Sequence, residues 1–432
     1  MTISELALAP ASSMTWRRPQ VVFGLLTVLT LLMMVLNVGI GSIPFSPLEI
    51  WQVLTGPAEN TTISSNISSN CPTPIRLQPR RRPMIVSERA LSPAPSMTWR
   101  RPQVVFGLLT VLTLIMMVLN VGIGSIPFSP LEIWQVLTGP AENTTISSII
   151  WNLRIPRAIA AVLGGAYLAA SGLLLQIYFR NPIVGPYILG ISSGATLMVS
   201  FVMLTSITVG WTLFTPFIST LAAFAGAYGV MLIVLAIASR VKGGVTLLIV
   251  GLMMGYLCGG VTAILTALAE KEKIKGFVLW QLGSFSGFKW DEIGILLVFG
   301  GAVLILLFVQ SKPLNAFLLG EEYAASMGVN IRRFRLLILL CACALAGMIT
   351  SMAGPVAFIG MAVPHMARLS FGTSDNRILI PGACLMGALV ASVCDLIART
   401  VLSPVELPLS AITAFFGAPI VITLLLKRRV KL

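Results

Sequence analysis

The sequence predicts an all-α membrane protein, a polytopic helical bundle. Three observations predict it. The first is composition: of 432 residues, 56% are hydrophobic and only 10% charged, where a soluble domain averages about a quarter charged residues. A water-soluble fold of this size has no interior large enough to hide so much apolar surface. The second is the length of the apolar runs, many of them close to the roughly twenty residues a helix needs to cross a hydrocarbon core. The third is charge placement. The formal net charge is +14, and the basic residues sit mostly in short gaps between apolar runs, the pattern of cytoplasmic retention. A transmembrane β-barrel would instead show short alternating strands.

The same features exclude other classes. No RNP pattern, zinc-finger spacing or aromatic–basic interleaving is present, so nucleic acid is not an expected partner. Of the cysteines, Cys258, Cys341, Cys343, Cys384 and Cys394 lie in apolar runs and Cys71 lies outside them; they form no metal or redox pair, and Cys341 and Cys343 face different sides of a helix.

From the start of the chain, residues Ser13–Ser65 reappear as Ser96–Ser148, differing only where Leu32 becomes Ile115. Architectural repeats diverge while keeping their pattern. So little divergence marks a recent duplication or an assembly error in the sequence. Each copy carries WRRP and one apolar run, Val21–Ile43 or Val104–Ile126. Between them lies a basic, Pro-rich stretch with little to fold around. Two domains follow: residues 1–89, a duplicated segment peripheral to the working unit, and residues 90–432, the membrane unit.

Ten spans are expected in that unit: 104–124, 156–177, 187–207, 214–238, 244–268, 291–309, 334–350, 353–370, 378–399 and 411–426. The eighth is interrupted by Gly354, Pro355, Gly360 and Pro364, breaks tolerated where protein or a cavity covers the backbone. With Arg100 and Arg101 inside, alternation also puts Arg180, Arg240, Lys242, Lys312, Arg332, Arg333, Arg335, Arg368, Arg377 and Lys427–Arg429 inside. The segments around Trp151–Arg157 and AEKEKIKG argue the other way, but the balance puts both ends of the unit in the cytoplasm. Small-residue stretches such as Gly164–Gly172 and Gly382–Ser392 let helices approach closely.

One polar stretch, Leu319–Arg335, cuts through this apolar sequence. A solvated connector and a docking point for a soluble partner both fit it. No P-loop is present, so the chain does not itself hydrolyse ATP by that device. No catalytic, cofactor-binding or metal-binding set is found, and His365 is the single histidine, with a structural role expected. Asp395 and Arg399, four apart near one helix end, are a candidate intrahelical pair. The lack of a mid-membrane carboxylate chain weakens an ion-gradient carrier, and a membrane scaffold is the other rival. A separate ATPase engaging Leu319–Arg335 is the simplest power source.

Three stretches carry a resemblance: Leu153–Ala195, Leu319–Asn330 (LGEEYAASMGVN) and Ala353–Leu425. With them the chain, over residues 97–432, resembles the FecCD-type permease family, membrane subunits of ABC importers for iron–siderophores, haem and vitamin B12. The resemblance implies a ten-helix ABC importer permease bundle working as a homodimer, or as a paired or fused equivalent, with two ABC ATPase subunits on its cytoplasmic face and an extracytoplasmic substrate-binding protein outside. It implies that Leu319, Gly320, Glu321, Glu322, Ala325 and Gly328 form the ATPase-coupling loop. Arg180, Asn181 and Pro182 match the family's RNP turn on the same face, and His365 and Arg368 its PHxxR pattern. Two departures stand out: Gly185 where the family carries a carboxylate, and Ser410 where glycine is common.

Overall fold

The computed structural model describes residues 100–124, 128–138, 145–205, 215–238, 244–403 and 405–429. The first apolar copy and the 1–89 segment lie outside the described residues. What is described is helical: α1 Arg100–Gly122, α2 Pro130–Thr138, α3 Thr145–Phe179, α4 Ile191–Leu204, α5 Thr215–Ala238, α6 Gly244–Leu268, α7 Lys271–Gln281, α8 Trp290–Val309, α9 Ser311–Leu319, α10 Glu321–Ser326, α11 Ile331–Ala353, α12 Ile359–Phe371, α13 Asn376–Thr400 and α14 Leu409–Arg429. Among the described residues, six helices are long and apolar enough to cross a membrane: α1, α3, α6, α8, α11 and α13, with trimmed ends. Shorter apolar helices lie at Ile191–Leu204, Ile218–Val234 and Leu409–Ile422.

Burial sorts these helices into layers. Most of α3, α11 and α13 is enclosed, while only 22% of the apolar window of α6 and of α8 is. The outer helices present Val104, Val118, Met253, Leu257, Val298, Phe299 and Ile305 outward, the surface a bilayer covers. At the centre, α3 and α13 run backbone against backbone. A Cβ on Gly165 or Gly387 would overlap the carbonyl of the other, so only glycine permits this crossing. A Cβ on Gly172 would likewise overlap the Gly360 carbonyl of α12.

Helix ends follow local chemistry. Asn330 Oδ1 accepts from the Arg333 N–H (3.1 Å) to cap α11, and Asp375 Oδ1 accepts from the Arg377 N–H (3.0 Å) to cap α13. Two differences from the sequence expectation matter. Gly354 (φ 74°) ends α11 and Phe358 (φ 65°) precedes α12, but Gly360 and Pro364 lie inside α12; only the Gly354–Pro355 pair breaks the eighth apolar stretch. And α3 begins at Thr145, not near residue 156. Pro156 lacks the amide that would extend the ladder, and the widened turn Ile150–Arg154 precedes it, as a π-bulge accommodates a proline. Arg154 and Arg157, expected in a connecting loop, are therefore buried in the bundle.

Candidate functional site

Two polar clusters sit at opposite ends of the α3–α13 pair. The first surrounds α9. Gly320 (φ 145°) and Gly328 (φ 85°) adopt backbone conformations closed to most side chains, and the chain turns sharply on either side of α10. Asn315 of α9 donates its Nδ2 to Asp375 Oδ1 (2.7 Å). Its Oδ1 accepts from the backbone N–H (2.9 Å) and Nδ2 (2.7 Å) of Asn376, the first residue of α13. Two residues on, Phe317 is fully buried. It stacks on Tyr178 of α3 and meets Phe334 of α11, with ring centroids 6.4 and 5.8 Å apart. The Arg180 guanidinium stands 5.8 Å from the Phe317 ring centre. Arg335 of α11 donates to Glu321 of α10 (Nε–Oε1 3.1 Å). The two short helices are thus tied to α3, α11 and α13 together.

The opposite side of these helices faces out. Leu319 (72% exposed), Tyr323 (47%) and Met327 (64%), at the end of α9, within α10 and just past it, are exposed apolar residues, and Glu322, Ala325 and Gly328 among them are exposed too. Of the two acids, Glu321 is held by Arg335 and Glu322 is exposed. Arg180 takes a left-handed conformation (φ 48°) at the end of α3, and Asn181 Oδ1 accepts from the Ile183 N–H (3.1 Å), holding the turn through Pro182. Gln176, one turn earlier, donates to the Met361 carbonyl (2.8 Å) and accepts from Arg368 Nη1 (2.6 Å). It pins α12 at two points, with half-buried His365 on the helix between them. A Cβ on Gly185 would stand 3.3 Å from Met361 Cβ, so the turn after Pro182 packs closely on α12. Ser410 Oγ, at the other end of the bundle, donates to the Leu282 carbonyl (3.0 Å).

The second cluster lies at that far end. Asp395 and Arg399 do pair, at 3.7 Å, but the tighter partner of Asp395 is Arg157 of α3. Arg157 Nε lies 3.1 Å from both carboxylate oxygens and Nη2 3.0 Å from Oδ1. Its Nη1 reaches Glu406 Oε1 at 2.6 Å. Arg399 turns its Nη2 to the carbonyl of Asn120 of α1 (2.6 Å), and Asn120 Nδ2 donates to the Ser392 carbonyl (3.1 Å). Arg154 Nη1 donates to the Val121 carbonyl (3.0 Å). Buried charge is tolerable only when paired and hydrogen-bonded; this network pairs Arg157 and Arg399 with carboxylates and leaves Arg399 Nε, 3.7 Å from Asp395 Oδ2, without a hydrogen bond.

Sequence reasoning missed Asn315, Phe317, Asn376, Arg157, Glu406 and Asn120. The Arg154–Arg157 spacing is visible in the sequence; nothing local marks Asn315, whose partners lie 60 and 61 residues away.

The FecCD transport family model matches residues 112–427. The chain is 33% identical to the hemin transport system permease protein HmuU of Yersinia pestis, over 76% of this chain and 97% of that protein. It is 35% identical to the vitamin B12 import system permease protein BtuC of Salmonella typhi, over 64% of this chain and 83% of that protein. A solved structure of a metal-chelate type ABC transporter in an inward-facing conformation superposes with a TM-score of 0.66 at 27% identity, covering 76% of this chain and 99% of that one. The chain belongs to the FecCD transport family.

Proposed function

We infer that this chain is the membrane-spanning permease subunit of an ABC importer for metal chelates of the iron–siderophore, haem or cobalamin kind. It is a multi-pass protein of the inner (plasma) membrane and performs no covalent chemistry; ATP is hydrolysed in a separate subunit. The observation that carries the mechanism is the double character of α9 and α10. One side is tied to α3, α11 and α13; the other exposes three large apolar side chains and a carboxylate. Such a surface suits a protein partner, since buried apolar anchors with a polar rim dominate protein interfaces.

Residues 90–432 form ten spans in this reading, and residues 1–89 are peripheral. The α9–α10 end faces the cytoplasm, as the charge bias favours. Leu319, Gly320, Glu321, Glu322, Ala325 and Gly328 form the coupling surface for the ATPase. Arg180, Asn181, Pro182, His365 and Arg368 shape the bundle face behind it. A substrate-binding protein delivers cargo at the far end, and a second copy of the chain completes the path. ATP binding shifts the access equilibrium only through contacts that differ between the two states. The second cluster speaks against an ion-gradient carrier, because Asp395 is already held by two arginines.

The test is uptake by proteoliposomes holding the permease, its cognate ATPase and its binding protein, offered ferric siderophore, hemin and cobalamin in turn. ATP-dependent accumulation of one of them is expected. Side-specific labelling of a Gly328→Cys chain from the extracytoplasmic side would overturn the orientation.

A further inference from the structure

We propose that α3 and α13 work as a pair of scissor arms. They pivot at the Gly165–Gly387 contact, α9 grips both cytoplasmic ends, and the Arg157–Asp395–Glu406 network latches both outer ends. The proposal rests on the permease reading, which supplies the cytoplasmic push and names the sides.

The arms are antiparallel, and their latch residues are matched about the pivot. Arg157 lies eight residues before Gly165, and Asp395 eight residues after Gly387, so each latch residue stands about 12 Å from the pivot at the helical rise. On the other side of the pivot, Asn376 lies eleven residues from Gly387, about 17 Å. Both cytoplasmic ends close on one short helix. Asn315 holds the start of α13, and Phe317 holds the end of α3 through Tyr178 and Arg180. Pro381 removes a ladder bond within the α13 arm, and the turn below it is fixed by Asp375 and Asn315.

The crossing itself permits motion. Gly165 and Ala169 face Gly387 and Ala391, so the contact is small side chains against backbone, without long interlocking groups. Packed helices shift by ~1–2 Å in such transitions. A relative shift of this size at the latch is enough to open hydrogen bonds, which weaken steeply with distance and angle. Glu406 is the part of the latch that such motion would free. It lies in the loop between α13 and α14, half-exposed, joined to Arg157 and 3.5 Å from Ser284 Oγ of a neighbouring outer loop. Opening Arg157–Glu406 would loosen two outer loops where cargo enters.

The experiment reads the outer end while the cytoplasmic end is driven. A cysteine replaces Val405, which is 65% exposed beside Glu406, in a chain with Cys71→Ser, and its reaction with a membrane-impermeant maleimide is timed. In the complete transporting complex, trapping the ATPase with ATP and vanadate is expected to change the rate about fivefold, the scale of an ordinary allosteric coupling. Asn315→Ala should abolish that change while the ATPase still co-purifies. Glu406→Gln, in the permease alone, should shift the resting rate toward the trapped value. A rate indifferent to trapping in a complex that transports, a full response in Asn315→Ala, or an unchanged resting rate in Glu406→Gln would each overturn the scissor. Failure of the unaltered chain to bind any ATPase would instead strike the permease reading, and the Glu406→Gln measurement would still decide the latch.

Discussion

Arg157 and Asp395 meet in a buried, forked ion pair between α3 and α13, with three contacts of 3.0–3.1 Å. Removing one partner of such a pair costs about 3–5 kcal/mol, because the other charge stays buried. Asp395→Ala, which leaves Arg157 only the half-exposed Glu406 and removes the carboxylate beside Arg399, is therefore expected to lower the thermal unfolding midpoint sharply in detergent. Replacing Arg157, Asp395 and Arg399 together by apolar residues of similar volume should recover most of the loss. Equal loss in both variants would show that the pair acts through something other than charge.

Glycine positions divide into two groups. A Cβ on Gly172 would overlap the Gly360 carbonyl, whereas one on Gly301 meets nothing within 4 Å. Gly172→Ala should destabilise by at least the ~1–3 kcal/mol of an overpacked core. Gly301→Ala should be neutral or slightly stabilising, since Ala is the better helix former. Paired unfolding curves check the contrast.

The exposed surface of α10 can be altered without touching the core. Glu322→Lys with Ala325→Val changes two exposed positions and should leave membrane insertion and unfolding within about 0.5 kcal/mol of the original. ATP-driven uptake should fall at least tenfold, about 1.4 kcal/mol of lost coupling or binding. Unchanged uptake would remove the coupling role from this surface.

Deleting residues 1–89 tests the duplication. The family match begins at residue 112, so the shortened chain should insert, bind its ATPase and transport. If it inserts normally and transports nothing, the first copy belongs to the working unit.

The fold class was legible because membrane insertion reads local quantities. Length of apolar run, gaps of polar residues and basic flanks are properties of short windows, and the motifs in Leu153–Ala195 and Leu319–Asn330 carried the family. The start of α3 escapes the sequence for a local reason too: a polar, proline-bearing stretch reads as a loop until something buries it.

The sequence by itself determined that the chain lives in a membrane as a helical bundle, which family it belongs to, and which polar segment stands apart. Only the tertiary structure decided who partners whom. Arg157 finds Asp395 across 238 residues and Glu406 across 249, and Asn315 finds Asn376 across 61. A buried charge or amide must be satisfied, but any suitable group would do so; the choice is made by which helix ends the packing of small residues brings together.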